Sequence, residues 1–281
     1  MADELLARMQ PGAEIDLVRD YAAEIPTTII AEMLGVPVRD RLKFRKWSNV
    51  GAAAGASRFG IVKAIPHLVL FIRYIRSLVK LRREKPQDDL ISALARLGEA
   101  GDRLSEDELL AMIVLLLVAG HETTVNLIGN GILALLKNPE QLHKLRNNPT
   151  LIQSAVEELL RHSGPLETAT ERFPRNDVKA AGVTIERGDL VFAVLASANR
   201  DEQRFSTPDE LDITRDPNPH LAFGFGMHHC LGASLARLEA QIGIATVFDK
   251  FPNVRLAAPP GSLRWKPGLV LRGLENLPLT L

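Results

Sequence analysis

The apolar run from Leu109 to Leu136 constrains this chain more than any other stretch. Ser105-Glu106-Asp107-Glu108 before it reads as a capping box, a serine at the N-cap with a glutamate three residues on, and sets a helix start. Asn138-Pro139 closes the helix. At 1.5 Å per residue, about 30 residues span roughly 45 Å, the width of a whole domain, so this helix must cross the middle of the molecule. The run is also long enough to be weighed as a membrane span, which takes about 20 apolar residues. His121, Glu122, Thr123, Thr124, Asn126 and Asn130 interrupt it, which predicts a helix through a protein core and a soluble protein.

The middle of that helix reads Ala119-Gly120-His121-Glu122-Thr123-Thr124. Glycine and threonine are poor helix formers, and a threonine hydroxyl can bond the carbonyl of the preceding turn and open the helix locally. An acid in such a core is costly unless it is used. One reading is a kink held by neighbours. The other is proton delivery, with Thr123 donating a hydrogen bond and Glu122 relaying protons from solvent, which makes these two the candidate catalytic residues. His121-Glu122 does not begin a metalloprotease H-E-x-x-H motif, because Val125 stands at the fifth position.

The only cysteine, Cys230, lies in Phe223-Gly224-Phe225-Gly226-Met227-His228-His229-Cys230-Leu231-Gly232. Gly224 and Gly226 allow positive φ and let the backbone come close to a flat ligand or a sulfur atom. After the cysteine, Leu231, Leu235, Leu238 and Ile242 repeat as one helical stripe, so the thiol sits at a helix start whose amide groups favour an anion. A thiolate among backbone donors suits haem iron as an axial ligand. A buried free cysteine is the plainer reading. A zinc site on His228, His229 and Cys230 is disfavoured, since adjacent residues rarely converge on one tetrahedral ion.

Composition narrows the partners. Lys+Arg and Asp+Glu are 34 each, and a formal charge of +0 argues against a nucleic-acid or anionic-membrane partner. A single cysteine excludes an intrachain disulfide framework and suits a reducing compartment, and no signal peptide is visible at Met1-Ala2-Asp3-Glu4, so a cytoplasmic location is expected.

Phe223, Gly224, Gly226, His228, Cys230 and Gly232 stand at the spacing F-G-x-G-x-H-x-C-x-G, which resembles the haem-binding loop of the cytochrome P-450 monooxygenases. Ala119 to Thr123 resembles that family's oxygen-activation motif, and Glu158 with Arg161 its E-x-x-R motif. The resemblance implies a mainly α fold, helix-rich with small β-sheets, and haem b (iron protoporphyrin IX) held between the long helix and the cysteine helix. Cys230 would be the metal ligand. Phe223, Gly224, Arg172 and His228 would bind the cofactor, the last two through its propionates. A later arginine, Arg215, would complete the Glu158–Arg161 pair in a structural network that fixes the loop before the cysteine. The implied reaction uses O2 and two electrons to insert one oxygen atom into a small, largely apolar substrate. Neither a Rossmann fingerprint nor a flavin segment is seen, so a ferredoxin and its reductase are the expected electron donors.

The chain begins part-way through the family's fold, so a single domain over 1–281 would hold the C-terminal larger part of an N-terminally truncated fold. A shortened reading of the gene, a split protein, or a chain that dimerises would each account for this. A non-catalytic haem-binding remnant is the alternative function. Elsewhere the pattern predicts helices from Met1 to about Leu34, a loop over Gly51–Gly60, a solvated charged run Lys80–Lys85 and a turn over Glu99–Arg103. It also predicts a hairpin turning at Glu186-Arg187-Gly188-Asp189 and a terminal hairpin from Leu269 to Leu281.

Overall fold

The computed structural model describes residues 1–44, 47, 58–97 and 104–281. Its helices are α1 (Ala2–Ala7), α2 (Glu24–Met33), α3 (Arg58–Glu84), α4 (Leu90–Leu97), α5 (Glu106–Lys137), α6 (Pro139–Asn147), α7 (Ile152–Ser163), α8 (Leu195–Ala198) and α9 (Ala233–Lys250). A π-helical turn at Val18–Ala22 leads into α2. The strands β1 (Glu14–Asp16), β4 (Arg255–Leu256) and β5 (Pro278–Thr280) form an antiparallel sheet in the order β1-β5-β4, and β2 (Val178–Ala180) pairs with β3 (Val183–Ile185).

The long helix is α5, and it starts at the expected box. Ser105 accepts from the Glu108 amide while the Glu108 side chain accepts from the Ser105 amide. By length and composition α5 could cross a membrane. In this fold its two halves instead enter two separate apolar clusters. Leu109, Ile113 and Leu117 pack with Ile30, Leu34, Phe71, Ile75 and Ile91. Val125 to Leu135 pack with Tyr21, Ile25, Leu159, Ile244 and Val247. Gly131 and Gly243 permit the tight crossing of α5 with α9: a Cβ on Gly131 would lie 3.0 Å from Ile244, and one on Gly243 3.1 Å from Ile128. Tyr21 locks the π-helical turn to α9 by donating its hydroxyl to the Gly243 carbonyl at 2.9 Å.

Several local expectations are corrected. The run from Met1 to Leu34 is not helical throughout: Gly12 turns at φ 83° and β1 follows, because Ile15 pairs with Leu279 at the far end of the chain. The small hairpin turns at Ala181 and Gly182, both at positive φ as a two-residue turn needs, and not at 186–189; Val191 bridges Arg172 instead. The terminal hairpin is shifted, with Trp265 bridged to Leu274 and the Lys266 amide donating to the Gly273 carbonyl, which frees β5 for β1 and β4. Arg82, inside the charged run, is buried against Asp89 and the Gly35 carbonyl, because its charge is neutralised there. The stripe Leu231, Leu238 and Ile242 faces solvent, and Ala240, Ile244, Val247 and Phe248 form the packed face of α9. The expected turn at 99–103 and most of the loop at 51–60 lie outside the described residues; 58–60 belong to α3.

Candidate active site

The cysteine turn is built by backbone. Its ends are tied by the Cys230 amide donating to the Phe223 carbonyl at 2.9 Å, with the His229 amide donating to Gly226 at 3.0 Å inside it. Gly224 (φ 71°) and Gly226 (φ 76°) take conformations that a side chain disfavours, as the spacing predicts. Cys230 is a free, exposed thiol three residues before the start of α9, whose N-cap is Gly232. The plainer reading, a buried cysteine, is therefore excluded. Phe223 lies under the Arg237 guanidinium at 4.5 Å, and Glu157 of α7 holds that guanidinium at 2.7 and 2.9 Å. Burial alone would raise the Glu157 carboxyl; hydrogen bonds from His220 and Arg237 outweigh it and bring it down to about 2.

The Glu158–Arg161 pair is fully buried on α7, with bonds of 2.7 and 2.8 Å, and Arg215 joins it at 3.2 Å. Arg161 also donates to the carbonyls of Asn199, Pro208 and Glu210, while Glu158 accepts from the Asp212 amide and Asn218. Asn199 in turn accepts from the Leu221 amide at 2.7 Å. The buried side chains of Glu158, Arg161 and Asn199, with Arg215 and Asn218 beside them, thus fasten the irregular segment 199–221, which delivers the cysteine turn. This is the structural network the E-x-x-R resemblance implies.

On α5, Thr123 donates its hydroxyl to the Ala119 carbonyl at 2.7 Å, the back-bond its sequence predicts. Helical geometry nevertheless runs unbroken through the segment. Glu122 pairs with Lys266 at 3.0 Å. His121 is buried, its Nε2 has no hydrogen-bond partner among the described residues, and burial pushes its pKa down. Leu115, Val118, Ala119 and Gly120 leave one face of the helix open. Arg172 is exposed and donates to Thr170 and to the Glu171 carbonyl; His228 is exposed in a short 3-10 turn. Among the described residues, no hydrogen bond or ion pair joins Arg172, His228 and Cys230 to one another. Among the described residues, no group of three or more His, Cys, Asp or Glu side chains is placed to hold a bare metal ion.

These residues fit a large, flat, apolar group held by one thiolate. The thiol is accessible, and Phe225 (88 % exposed), Met227 (94 %) and Leu231 (90 %) surround it with apolar surface of a kind that a folded chain rarely leaves bare. Sequence reading missed Arg237, Glu157 and Lys266. Arg237 follows Cys230 by seven residues, two helical turns, and that spacing was a usable signal. Lys266 carried none, because only the shifted terminal hairpin brings it to α5.

Comparison with known proteins agrees with this geometry. Residues 63–272 match the family model for cytochrome P-450. Cytochrome P-450 107B1 of Saccharopolyspora erythraea is 47% identical over 279 residues, covering 99% of this chain and 68% of that protein. The cytochrome P-450 monooxygenase PikC of Streptomyces venezuelae is 44% identical over 280 residues, covering 99% and 66%. The solved structure of the Bacillus subtilis 168 bacillaene polyketide synthase cytochrome P-450 PksS superposes with a TM-score of 0.94 at 43% identity, covering all of this chain and 72% of that one. The chain thus spans about two thirds of the relatives it matches, and over that span it is similar to them throughout. A free thiol presented by a two-glycine turn, a buried E-x-x-R network beneath it and likeness along the whole chain lead to one conclusion: this protein belongs to the cytochrome P-450 family.

Proposed function

We propose that the chain is a haem-thiolate monooxygenase whose domain, over 1–281, carries the larger C-terminal part of the family fold, and that it acts in the bacterial cytoplasm. The exposed Cys230 thiol in its glycine turn, with apolar surface around it, is the observation that carries this reading. Cys230 would ligate the iron of haem b. Phe223 and Gly224 would shape the sulfur side, and Arg172 and His228 would meet the propionates as charge partners. Bound haem supplies O2 activation with two electrons and two protons, so that one oxygen atom enters a C–H or C=C bond and the other leaves as water.

The chain's own part is to exclude water and move protons. Glu122, half-buried and paired with Lys266, would pass a proton inward from solvent; Thr123 would receive it at Oγ1 by exchanging its bond to the Ala119 carbonyl. Val118 and Ala119 on the open face of α5 and the segment 166–170 would contact substrate, which favours a small, mainly apolar molecule; His121 is buried and does not take part in that lining. Likeness to the bacillaene polyketide synthase cytochrome P-450 PksS supports a substrate from secondary metabolism. Electrons would come from a ferredoxin and its reductase docking on the thiolate side.

Reducing the haem-loaded chain under CO tests this reading. A Soret band at the wavelength that gives the family its name is expected, and Cys230→Ala abolishes it. The second reading is a remnant that binds haem weakly or not at all and has no activity. A band typical of histidine ligation, or no haem uptake, decides for the remnant.

A further inference from the structure

Glu157 and Glu158 are consecutive on α7, yet they serve different parts of the cysteine turn. Glu158 fastens the segment that leads into it. Glu157 binds what stands on either side: His220, three residues before Phe223, at 3.1 Å, and Arg237, seven residues after Cys230, through two parallel bonds of 2.7 and 2.9 Å. The Ala222 amide donates to His220 Nδ1 at 3.3 Å, so Nε2 carries the proton that His220 donates to Glu157.

These groups meet at the Phe223 ring. The Arg237 guanidinium lies over it at 4.5 Å, and the rings of His220 and His229 stand 6.2 and 6.4 Å away at interplanar angles of 51° and 55°. Phe223 is also the residue whose carbonyl accepts the Cys230 amide and closes the turn. One residue therefore carries both the ring that Arg237 covers and the carbonyl that fixes the cysteine. Two parallel bonds to one carboxylate hold a guanidinium in a single plane, which a point contact would not do.

We infer that Glu157 is a positioning residue for Cys230, acting through Arg237 and the Phe223 ring: the ion pair sets where the ring sits, and the ring sets the turn from which the thiol projects. The inference rests on the haem-thiolate reading for its meaning in catalysis but not for its structural test. The competing account is an ordinary stabilising pair. The Arg237 and Glu157 side chains are 32 % and 30 % exposed, and such pairs add little to stability. The two accounts differ in where the effect of breaking the pair falls. A stabilising pair loosens α7 and α9, the helices it joins; a positioning pair loosens the turn, in which neither residue lies.

Amide hydrogen exchange by NMR on the chain as purified, at fixed neutral pH, separates them. Glu157→Ala and Arg237→Ala should each lose about tenfold more protection at the Cys230 amide than along α7 and α9. Arg237→Lys keeps the charge but neither the fork nor the plane, and should behave as Arg237→Ala. The double variant should lose no more than the worse single one, because the two residues act as a unit. The inference is overturned if the loss at Cys230 is no greater than along the two helices, or if Arg237→Lys keeps wild-type protection. With haem and reductant supplied under CO, the share of the complex with the thiolate-type Soret band should fall in Glu157→Ala and Arg237→Lys, and a share equal to wild type overturns the positioning role. If the wild-type chain takes up no haem, the monooxygenase reading fails, and exchange at the turn still decides the role of Glu157.

Discussion

Replacing Glu158 with alanine should cost more than any exposed ion pair in the molecule could. Its carboxylate is wholly buried and accepts from Arg161 at 2.7 and 2.8 Å, from Arg215 at 3.2 Å, from the Asp212 amide at 3.0 Å and from Asn218 at 3.0 Å. Without it the Arg161 guanidinium keeps three carbonyl acceptors, from Asn199, Pro208 and Glu210, but no counter-charge, and Arg215 is left in a similar position. Removing one partner of a buried ion pair destabilises by about 3–5 kcal/mol, a large share of the roughly 5–15 kcal/mol that separates folded from unfolded domains. With a urea dependence of about 3 kcal/mol per molar, the unfolding midpoint should fall by about 1–1.7 M. Equilibrium urea unfolding, followed by far-UV circular dichroism, measures this; Arg76→Ala, which removes an exposed pair with Asp107, serves as the comparison and should leave the midpoint nearly in place. A Glu158→Ala midpoint within about 0.2 M of wild type would refute the claim that this network holds the cysteine-bearing segment, since that is the effect of an ordinary surface pair.

Two further outcomes are expected. The Glu157 carboxyl is held down to about 2 in the folded chain against an ordinary 4.5, so it contributes stability that is present above 4.5 and lost as pH falls through 2. Arg237→Ala should flatten that acid limb, read as melting temperature from pH 2.5 to 6, while leaving the alkaline side unchanged. Thr123→Ala should retain haem, since the hydroxyl bonds only the Ala119 carbonyl, but should divert reducing equivalents to peroxide; unchanged coupling between electrons consumed and product formed refutes its role in proton delivery.

Features fixed by local chemistry were legible in the sequence. The Ser105–Glu108 box set the start of α5 to within one residue, because both of its hydrogen bonds close within four residues. Glycines 224 and 226 announced a tight turn, and the i, i+3 spacing of Glu158 and Arg161 announced a pair, although its depth came from the family resemblance and not from the spacing. What depended on distant partners was not legible. Strand β1 exists because Leu279 lies beside Ile15, and Lys266 reaches Glu122 across 144 positions. The hairpin at Ala181 is not legible because alanine rarely adopts positive φ, and the sequence offers a more conventional turn at Gly188. The stripe after Cys230 marked a helix but not its packed face, because apolar residues line more than one side of α9 and periodicity alone does not choose between them.

The division of α5 between two apolar clusters has a mechanical consequence. Residues 109–117 follow one set of neighbours and 125–135 another, so any tilt of one cluster against the other is concentrated in the few residues between them. Those residues are 118–124, which carry Glu122 and Thr123. A molecule lodged against that joint would touch the stretch that links both ends of a rod 32 residues long, and so would meet both clusters through one helix.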